Sequence, residues 1–582
     1  MRRITGRFLA IFLLVLVSPP GLLERRGLSQ TSSLVIEGGT LIDGTGTAPK
    51  REAAIVIEGS KITAVGEKGK ISYPQGARII PASGKFILPG FIDMHVHWAD
   101  WMPELFLAYG VTSAVDLASS DWTLLQREAL WDGRMTGPRL FAAHGPFDGR
   151  LLWDRSNSIP VETAQMVRRL IREAGPGRAK YALSKAYTEL ALDELQAMVE
   201  ESHKVGRNVI AHLGSLDARQ AAEAGVDALA HASGVALATI TDPVKTEELR
   251  AFEQLGMGVD FPLYLLYHAF MDPAKVDELV GLLVRKKVRI EPDLINTARW
   301  AAKRRQAWIA EDTKFMQDPN LHYIPLNAFE RAIYSKPLER MDGQQRQQLQ
   351  KGYENLQSFL RKFVRAGGTV LAACDTASYS IPGICFHREL ELLVDAGLTP
   401  MQAIQAATAS NAEFLQESEL GTVEPGKLAD LIIVREDPLA DIKNTNTVDT
   451  VIKDGKVMDT RYHADFVNPI PRQRITDFPN PKPAIRVLYP ITTKETNKEV
   501  NLTVEGTNLV DDSVVEIDGV AVPTMPVKST LIRETMYHPV YTQVIATVPA
   551  SVLNKFGNYT VIVKNPRPEG GVSNRLTFFV AP

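Results

Sequence analysis

Cysteine is nearly absent: among 582 residues only Cys374 and Cys385 occur. Two thiols cannot form the disulfide framework of a small secreted scaffold or a zinc site made mainly of thiolates, so any metal must sit on His, Asp, Glu or Lys-derived ligands. An excess of positive charge is also missing. The 65 basic and 68 acidic residues leave a formal net charge of −3, which argues against binding nucleic acid by counterion release. Charged residues make up 23% and hydrophobic residues 45%, which excludes polytopic membrane, largely disordered and collagen-like chains. Long apolar runs are lacking too, apart from Phe8–Val17 (FLAIFLLVLV), which follows Arg2, Arg3 and Arg7. A basic segment followed by such a run reads as an export signal over residues 1–30 and predicts a periplasmic or secreted protein. The run is short for a bilayer span, which needs about 20 residues. No clear small-residue cleavage site follows it, so an uncleaved membrane anchor stays open. Removing residues 1–30, with five Arg and one Glu, moves the net charge from −3 to about −7, and nucleic acid recedes further as a partner.

What is present changes texture along the chain. Residues 31–90 and 416–460 are rich in short Val/Ile runs broken by glycine, and they predict a small β-sandwich domain built from both flanks. Between them, over about 91–415, short apolar strands alternate with amphipathic stretches. The candidate strands are TSAVDL, RLFAAHG, KYALSKAY, RNVIAHL, VDALAHA, GVDFPL, KVRIEPDLI and GTVLAACD. Alternation of this kind predicts an α/β fold with a parallel sheet, and about eight repeats favour a closed (β/α)₈ TIM barrel. Residues about 296–364 are long, polar and helical in composition, and read as a helical insertion before the last strand. Residues 461–483 are proline-rich and read as a linker. Residues 484–582 carry short β runs at regular spacing, the pattern of an all-β sandwich.

The chemistry concentrates at strand ends. His95 and His97 close the run KFILPGFIDMHVH, and at period two they point to one side. His212 closes RNVIAH, His231 closes VDALAH and Asp375 closes GTVLAACD. In a barrel such ends converge on the catalytic face. Lys185, at the end of YALSK, falls within the same series, with Lys180 as the competing position. A lysine held among metal ligands can carry CO₂ as a carbamate whose two oxygens bridge two metals, and no carboxylate stands better placed for that bridge. An ordinary strand-end lysine is the blander reading. His144, ending RLFAAH, and Tyr187, two residues after Lys185, are candidate substrate contacts, with a rim residue and core packing as their alternatives. His203 reads as a structural or exposed helix residue. Cys374 reads as a buried thiol pointing away from the metal, with a Cys374–Cys385 disulfide as the alternative after export. KRRQAW (303–308) reads as a solvated helix face.

These residues resemble the amidohydrolase superfamily, in its imidazolonepropionase-like and prolidase-like branch. LVIEGGTLIDGTG, GSKITAVG, GKFILPGFIDMHVH, GVTSAVDL, GPRLFAAHG, LAACDTAS and AGLTPMQAIQAATASNAEFL…LGTVEPGKLADLIIV carry the likeness over about 33–460. The resemblance implies a distorted (β/α)₈ barrel beside a β-sandwich formed from both flanks. It implies two divalent ions, Zn first with Mn, Co or Fe open, and a single metal as the fallback. His95, His97 and Asp375 would hold one ion, His212 and His231 the other, and carbamylated Lys185 would bridge them. A metal-activated hydroxide would attack an amide carbonyl while Asp375 shuttles the proton to the leaving nitrogen. SAVDL, where relatives often have Arg before Asp, and AACDT, where they often read GTD, depart from the pattern without removing a ligand. Residues 484–582 resemble the IPT/TIG group of immunoglobulin-like domains, through LTVEGTNLVDDSVVEIDG, ATVPASVL, GNYTVIVKNP and GGVSNRLTFFV, and imply a role in protein or surface contact.

The expectation is therefore an exported metal-dependent hydrolase of a C–N amide bond in a dipeptide (prolidase-like) or cyclic amide. A lactone or ester hydrolase on the same scaffold is the alternative, and a non-catalytic surface-binding protein is a third. The partner is a small-molecule or dipeptide substrate and not nucleic acid, with the oligomeric state open.

Overall fold

The computed structural model describes residues 33–149, 158–177, 179–254, 261–325, 328, 338, 341–376, 380–471, 480, 482–494, 498–527, 531–534, 539–566 and 570–581. The expected export signal lies outside them. The chain opens with β1 (Ser33–Leu41), β2 (Lys50–Glu58), β3 (Lys61–Glu67), β4 (Arg78–Pro81) and β5 (Phe86–Pro89). Their apolar residues recur at period two. Ala53, Ile55 and Ile57 share one face of β2 and pack with Leu34, Ile36 and Ile87.

Gly90 passes the chain from this sheet into a second one. A Cβ there would stand 2.1 Å from Thr112 Oγ1, so only glycine fits the crossing. The second sheet holds β6 (Phe91–Val96), β7 (Val111–Asp116), β8 (Arg139–Asp148), the two-residue β9 (Ile159–Pro160) beside β8, β10 (Leu183–Ala186), β11 (Asn208–Ala211), β12 (Ala228–Ala230) and β13 (Arg289–Glu291). Every pairing in it is parallel. Residues 369–376 complete the ring through parallel bridges Ile290–Val370 and Val96–Thr376, giving a barrel-like α/β fold. Ile92, Met94, Val115, Phe141, Leu183, Ile210, Ala228 and Leu371 form one apolar cluster that fills the ring.

After the barrel, β14 (Leu431–Val434) pairs antiparallel with β5, and β15 (Val448–Lys453) and β16 (Lys456–Val457) extend that first sheet. Strands from both flanks of the barrel thus share one sheet.

Three expectations change. The second half of GVDFPL, residues 261–263, opens the helix Phe261–His268, since a short apolar run does not by itself distinguish strand from helix; its first half lies outside the described residues. Helix Gly343–Arg365, within the expected helical insertion, is packed and not merely solvated. Leu349, Tyr353, Leu356, Leu360 and Phe363 form a buried stripe at helical spacing, and the helix leads directly into the closing segment. Its Gly352 lies so close to helix Phe261–His268 that a Cβ would meet Leu265 O at 2.0 Å. The start of the expected linker is fastened to the barrel. Asn468 is buried, donates to Asp100 O at 2.9 Å and exchanges hydrogen bonds with Gln126, while His463 Nδ1 lies 2.6 Å from Glu104 Oε1.

Beyond it, Ala484–Tyr489, Val500–Leu509 and Pro539–Val548 belong to a five-stranded sheet, and Val514–Ile517, Gly557–Asn565 and Leu576–Val580 to a six-stranded one. Leu502, Val504, Val544, Val515, Val561 and Phe578 from the two sheets form one core.

Candidate metal centre

The parallel sheet brings together six residues from well-separated strands. β6 has a register shift between Asp93 and Val96, where its partner β7 advances by fewer residues. This bulge turns His95 inward after Met94, the kind of re-aiming that bulges perform beside functional sites. His95 and His97 rings then lie 5.4 Å apart, His95 and His231 5.0 Å, and His212 and His231 4.4 Å. Asp375 Oδ1 is 2.9 Å from His97 Nε2 and 3.6 Å from His95 Nε2. Lys185, 1% exposed, shares the inward face of β10 with Leu183, and its Nζ has no hydrogen-bond partner among the described residues. Lys180 does not compete, since it lies before β10 begins, with its amine over the Tyr181 ring.

His231 and Asp375 leave their strands with φ of 58° and 44°. Non-glycine residues in the left-handed region are uncommon and gather at functional sites.

Carboxylates absent from the sequence reading complete the cluster. Glu291 Oε1 is 2.7 Å from His95 Nδ1, and Asp293 Oδ2 is 3.2 Å from the same atom and 3.1 Å from His231 Nδ1. Both lie at the end of β13, fully buried. Asn296 Nδ2 donates to Asp375 Oδ2 at 3.0 Å, so the other carboxylate oxygen faces the imidazoles. The one signal that could have found Glu291 is the rule that found the others, since it closes the apolar strand VRIE.

The electrostatics follow from packing unlike charges away from water. Burial pushes the Lys185 amine below its ordinary range, although Glu291, Asp375 and Asp293 oppose the shift. Burial and Lys185 lower His95 to about 3, and burial and His231 push His212 well down. Burial would raise Asp375, but His95 and His97 hold it well below the carboxylate range. Burial, then Asp293, drives Glu291 well up. His95 and His212 kept neutral and Asp375 kept ionised are in the protonation states that a cation requires of such ligands.

Two groups of ligand atoms lie within 4.8 Å of one another, His95 with His97 and Asp375, and His95 with His231 and Asp293. Nitrogen and oxygen donors without thiolate, together with the unpartnered Lys185 Nζ, fit one or two divalent ions.

Two expected contacts fare differently. Tyr187 is half-buried beside the cluster, its ring edge-on to His212 at 5.2 Å. His144 does not join the cluster. It pairs in register with Ser184, whose Oγ accepts from Ser202 Oγ on the outer helix Leu192–Lys204, so both face the helix layer. The His144 ring stacks on Tyr181 at 4.6 Å, and burial followed by Arg207 and Lys180 lowers it to about 3. Cys374 is not a free thiol: it is disulfide-linked to Cys385, and both are fully buried. His203 is a half-exposed helix residue 2.8 Å from Asp227 Oδ2.

Residues 287–458 match the amidohydrolase family. The chain is 41% identical over 70 residues to N-acyl-D-glutamate deacylase from Alcaligenes xylosoxydans xylosoxydans, covering 12% of this chain and 14% of that protein. It is 35% identical over 103 residues to imidazolonepropionase from Geobacillus kaustophilus, covering 17% and 24%. The matched segments thus span less than a quarter of these curated relatives. A solved Xaa-Pro dipeptidase with methionine bound in its active site superposes with a TM-score of 0.51 over 74% of this chain and 100% of that one, at 21% identity, a likeness of fold. Over residues 287–458 the chain is thus similar to the amidohydrolase family, and its fold is like that of the solved dipeptidase.

Proposed function

We propose that this chain is an exported, metal-dependent hydrolase that cleaves a C–N amide bond of a dipeptide, in the manner of a prolidase, or of a cyclic amide. The observation that carries the reading is the convergence of His95, His97, Lys185, His212, His231 and Asp375, drawn from five separate barrel segments, on one buried cluster. His95, His97 and Asp375 would hold one ion and His212 and His231 a second, with Zn the first choice. A bound divalent ion would supply a Lewis acid that polarises the scissile carbonyl and lowers the pKa of water.

The protein's own groups do the rest. Burial lowers the Lys185 pKa and so favours its free amine; that amine would add to CO₂ and release a proton, giving a carbamate whose single negative charge is shared by two oxygens. Asp375, fixed by Asn296, would take a proton from the attacking water and return it to the leaving nitrogen. Tyr187, edge-on to His212, is the candidate substrate contact. The names of the curated relatives, N-acyl-D-glutamate deacylase and imidazolonepropionase, and of the solved Xaa-Pro dipeptidase all describe C–N cleavage, and so favour an amide over a lactone or ester. The Cys374–Cys385 disulfide fits export to an oxidising compartment. Residues 484–582 are read as an IPT/TIG-type module for protein or surface contact.

The test is metal analysis of the purified full chain paired with a hydrolysis panel of Xaa-Pro and other dipeptides, N-acyl-D-amino acids, cyclic imides and lactones. Bound metal with turnover of an amide supports the reading. Turnover of lactones alone moves it to C–O chemistry. A protein without metal and without activity after metal and bicarbonate addition refutes it.

A further inference from the structure

The carboxylates at the end of β13 touch the imidazoles through one kind of atom. Glu291 Oε1 is hydrogen-bonded to His95 Nδ1 at 2.7 Å, and a single oxygen, Asp293 Oδ2, lies at ion-pair distance from Nδ1 of both His95 and His231, at 3.2 and 3.1 Å. The two nitrogens of an imidazole point away from each other, and a carboxylate that accepts from Nδ1–H leaves the lone pair on Nε2. His95 shows the consequence, since its Nε2 faces Asp375 Oδ1 at 3.6 Å. Asp293 therefore stands behind His95, on the side remote from the His97–Asp375 group, and cannot share an ion with His95 Nε2.

Asp293 is itself held in place. Its backbone is left-handed, at φ 45° and ψ 51°. The next two amides, of Leu294 and Ile295, donate to the buried Glu389 carboxylate at 3.0 and 2.7 Å. That glutamate sits on helix Ile384–Asp395, the helix that carries Cys385.

Resting on the reading of this site as a metal centre, we propose that Glu291 and Asp293 are positioning residues, a carboxylate clamp that fixes the Nδ1–H tautomer of His95 and His231 and turns their Nε2 atoms to the metal. Carboxylates in this relation to ligand histidines orient the ring and raise its basicity, and their loss lowers metal affinity about 10–100-fold.

The test uses the full chain stripped of metal and reloaded with Zn²⁺ or Co²⁺ alone, in wild type, Glu291→Gln and Asp293→Asn. Affinity is read by chelator competition, stoichiometry by elemental analysis and geometry by the Co²⁺ d–d absorption at saturation. The clamp predicts wild-type stoichiometry and Co²⁺ bands, with affinity lowered about 10–100-fold in both variants. Unchanged affinity in both overturns it. So does the loss of one equivalent, or altered Co²⁺ bands, in Asp293→Asn, because Asp293 would then be a ligand. If Asp293→Asn does not fold, Glu291→Gln decides by the same affinity criterion. A wild type that binds neither ion refutes the metal-centre reading itself, a result distinct from failure of the clamp.

Discussion

The Cys374–Cys385 disulfide ties the segment that carries Asp375 to the helix behind it, with a sequence separation of 11 residues. The chain-entropy relation for a loop of that length gives about 2.8 kcal/mol, drawn from the reduced number of unfolded conformations. The unfolding entropy of the catalytic region, at about 2.1 cal/mol/K per residue over roughly 425 residues, is near 0.9 kcal/mol/K. The double variant Cys374→Ala/Cys385→Ala should then unfold about 3 °C lower, and the lost packing of two fully buried sulfurs adds in the same direction. Calorimetry of the full chain measures the shift. Thiol titration of denatured wild type should find no free thiol before reduction and both cysteines after it. Two reactive thiols in the unreduced protein, or an unchanged unfolding midpoint in the double variant, would refute the reasoning.

Asn296→Ala removes the donor to Asp375 Oδ2; loss of a hydrogen bond to a buried carboxylate costs about 1–3 kcal/mol of stability. It also raises the Asp375 pKa, so the acid limb of the kcat/KM profile moves to higher pH. Gly352→Ala drives a methyl against Leu265 O and should destabilise by about 1–3 kcal/mol despite the better helix propensity of alanine; a variant as stable as wild type contradicts the close approach. Burial pushes Glu391 up to about 7 from 4.5, opposed by Arg304. The folded carboxyl holds its proton more tightly than the unfolded one, so this contribution to stability is present below about 4.5 and is lost as pH rises through about 7. Glu391→Gln should flatten that fall, as read from unfolding midpoints across the range.

The clustered histidines, Lys185 and Asp375 are legible in the sequence because each closes an apolar strand, and parallel barrel strands bring those ends together. Asp293 obeys a different geometry: it follows Pro292, beyond the end of β13, and reaches the site through a left-handed turn that sequence periodicity does not encode. Asn296 lies in the short helix that follows, where an ordinary polar residue gives no sign of its partner. His144 misled for the opposite reason. RLFAAH suggests a strand end, but β8 continues to Asp148, and the register with Ser184 turns His144 outward. The sheet formed from both flanks is foreshadowed by similar Val/Ile texture in residues 31–90 and 416–460, whereas the pairing of β5 with β14 is a tertiary fact. The disulfide is likewise a matter of two elements meeting.

The central claim is that six barrel residues form a metal-dependent hydrolytic centre. The direct measurement is metal content and amide hydrolysis in wild type and in Asp375→Asn, both purified from metal-supplemented cells. The account predicts bound divalent metal and turnover in wild type, with part of the metal retained and hydrolysis lost in Asp375→Asn. A wild type with neither metal nor turnover, or an Asp375→Asn variant as active as wild type, would contradict it.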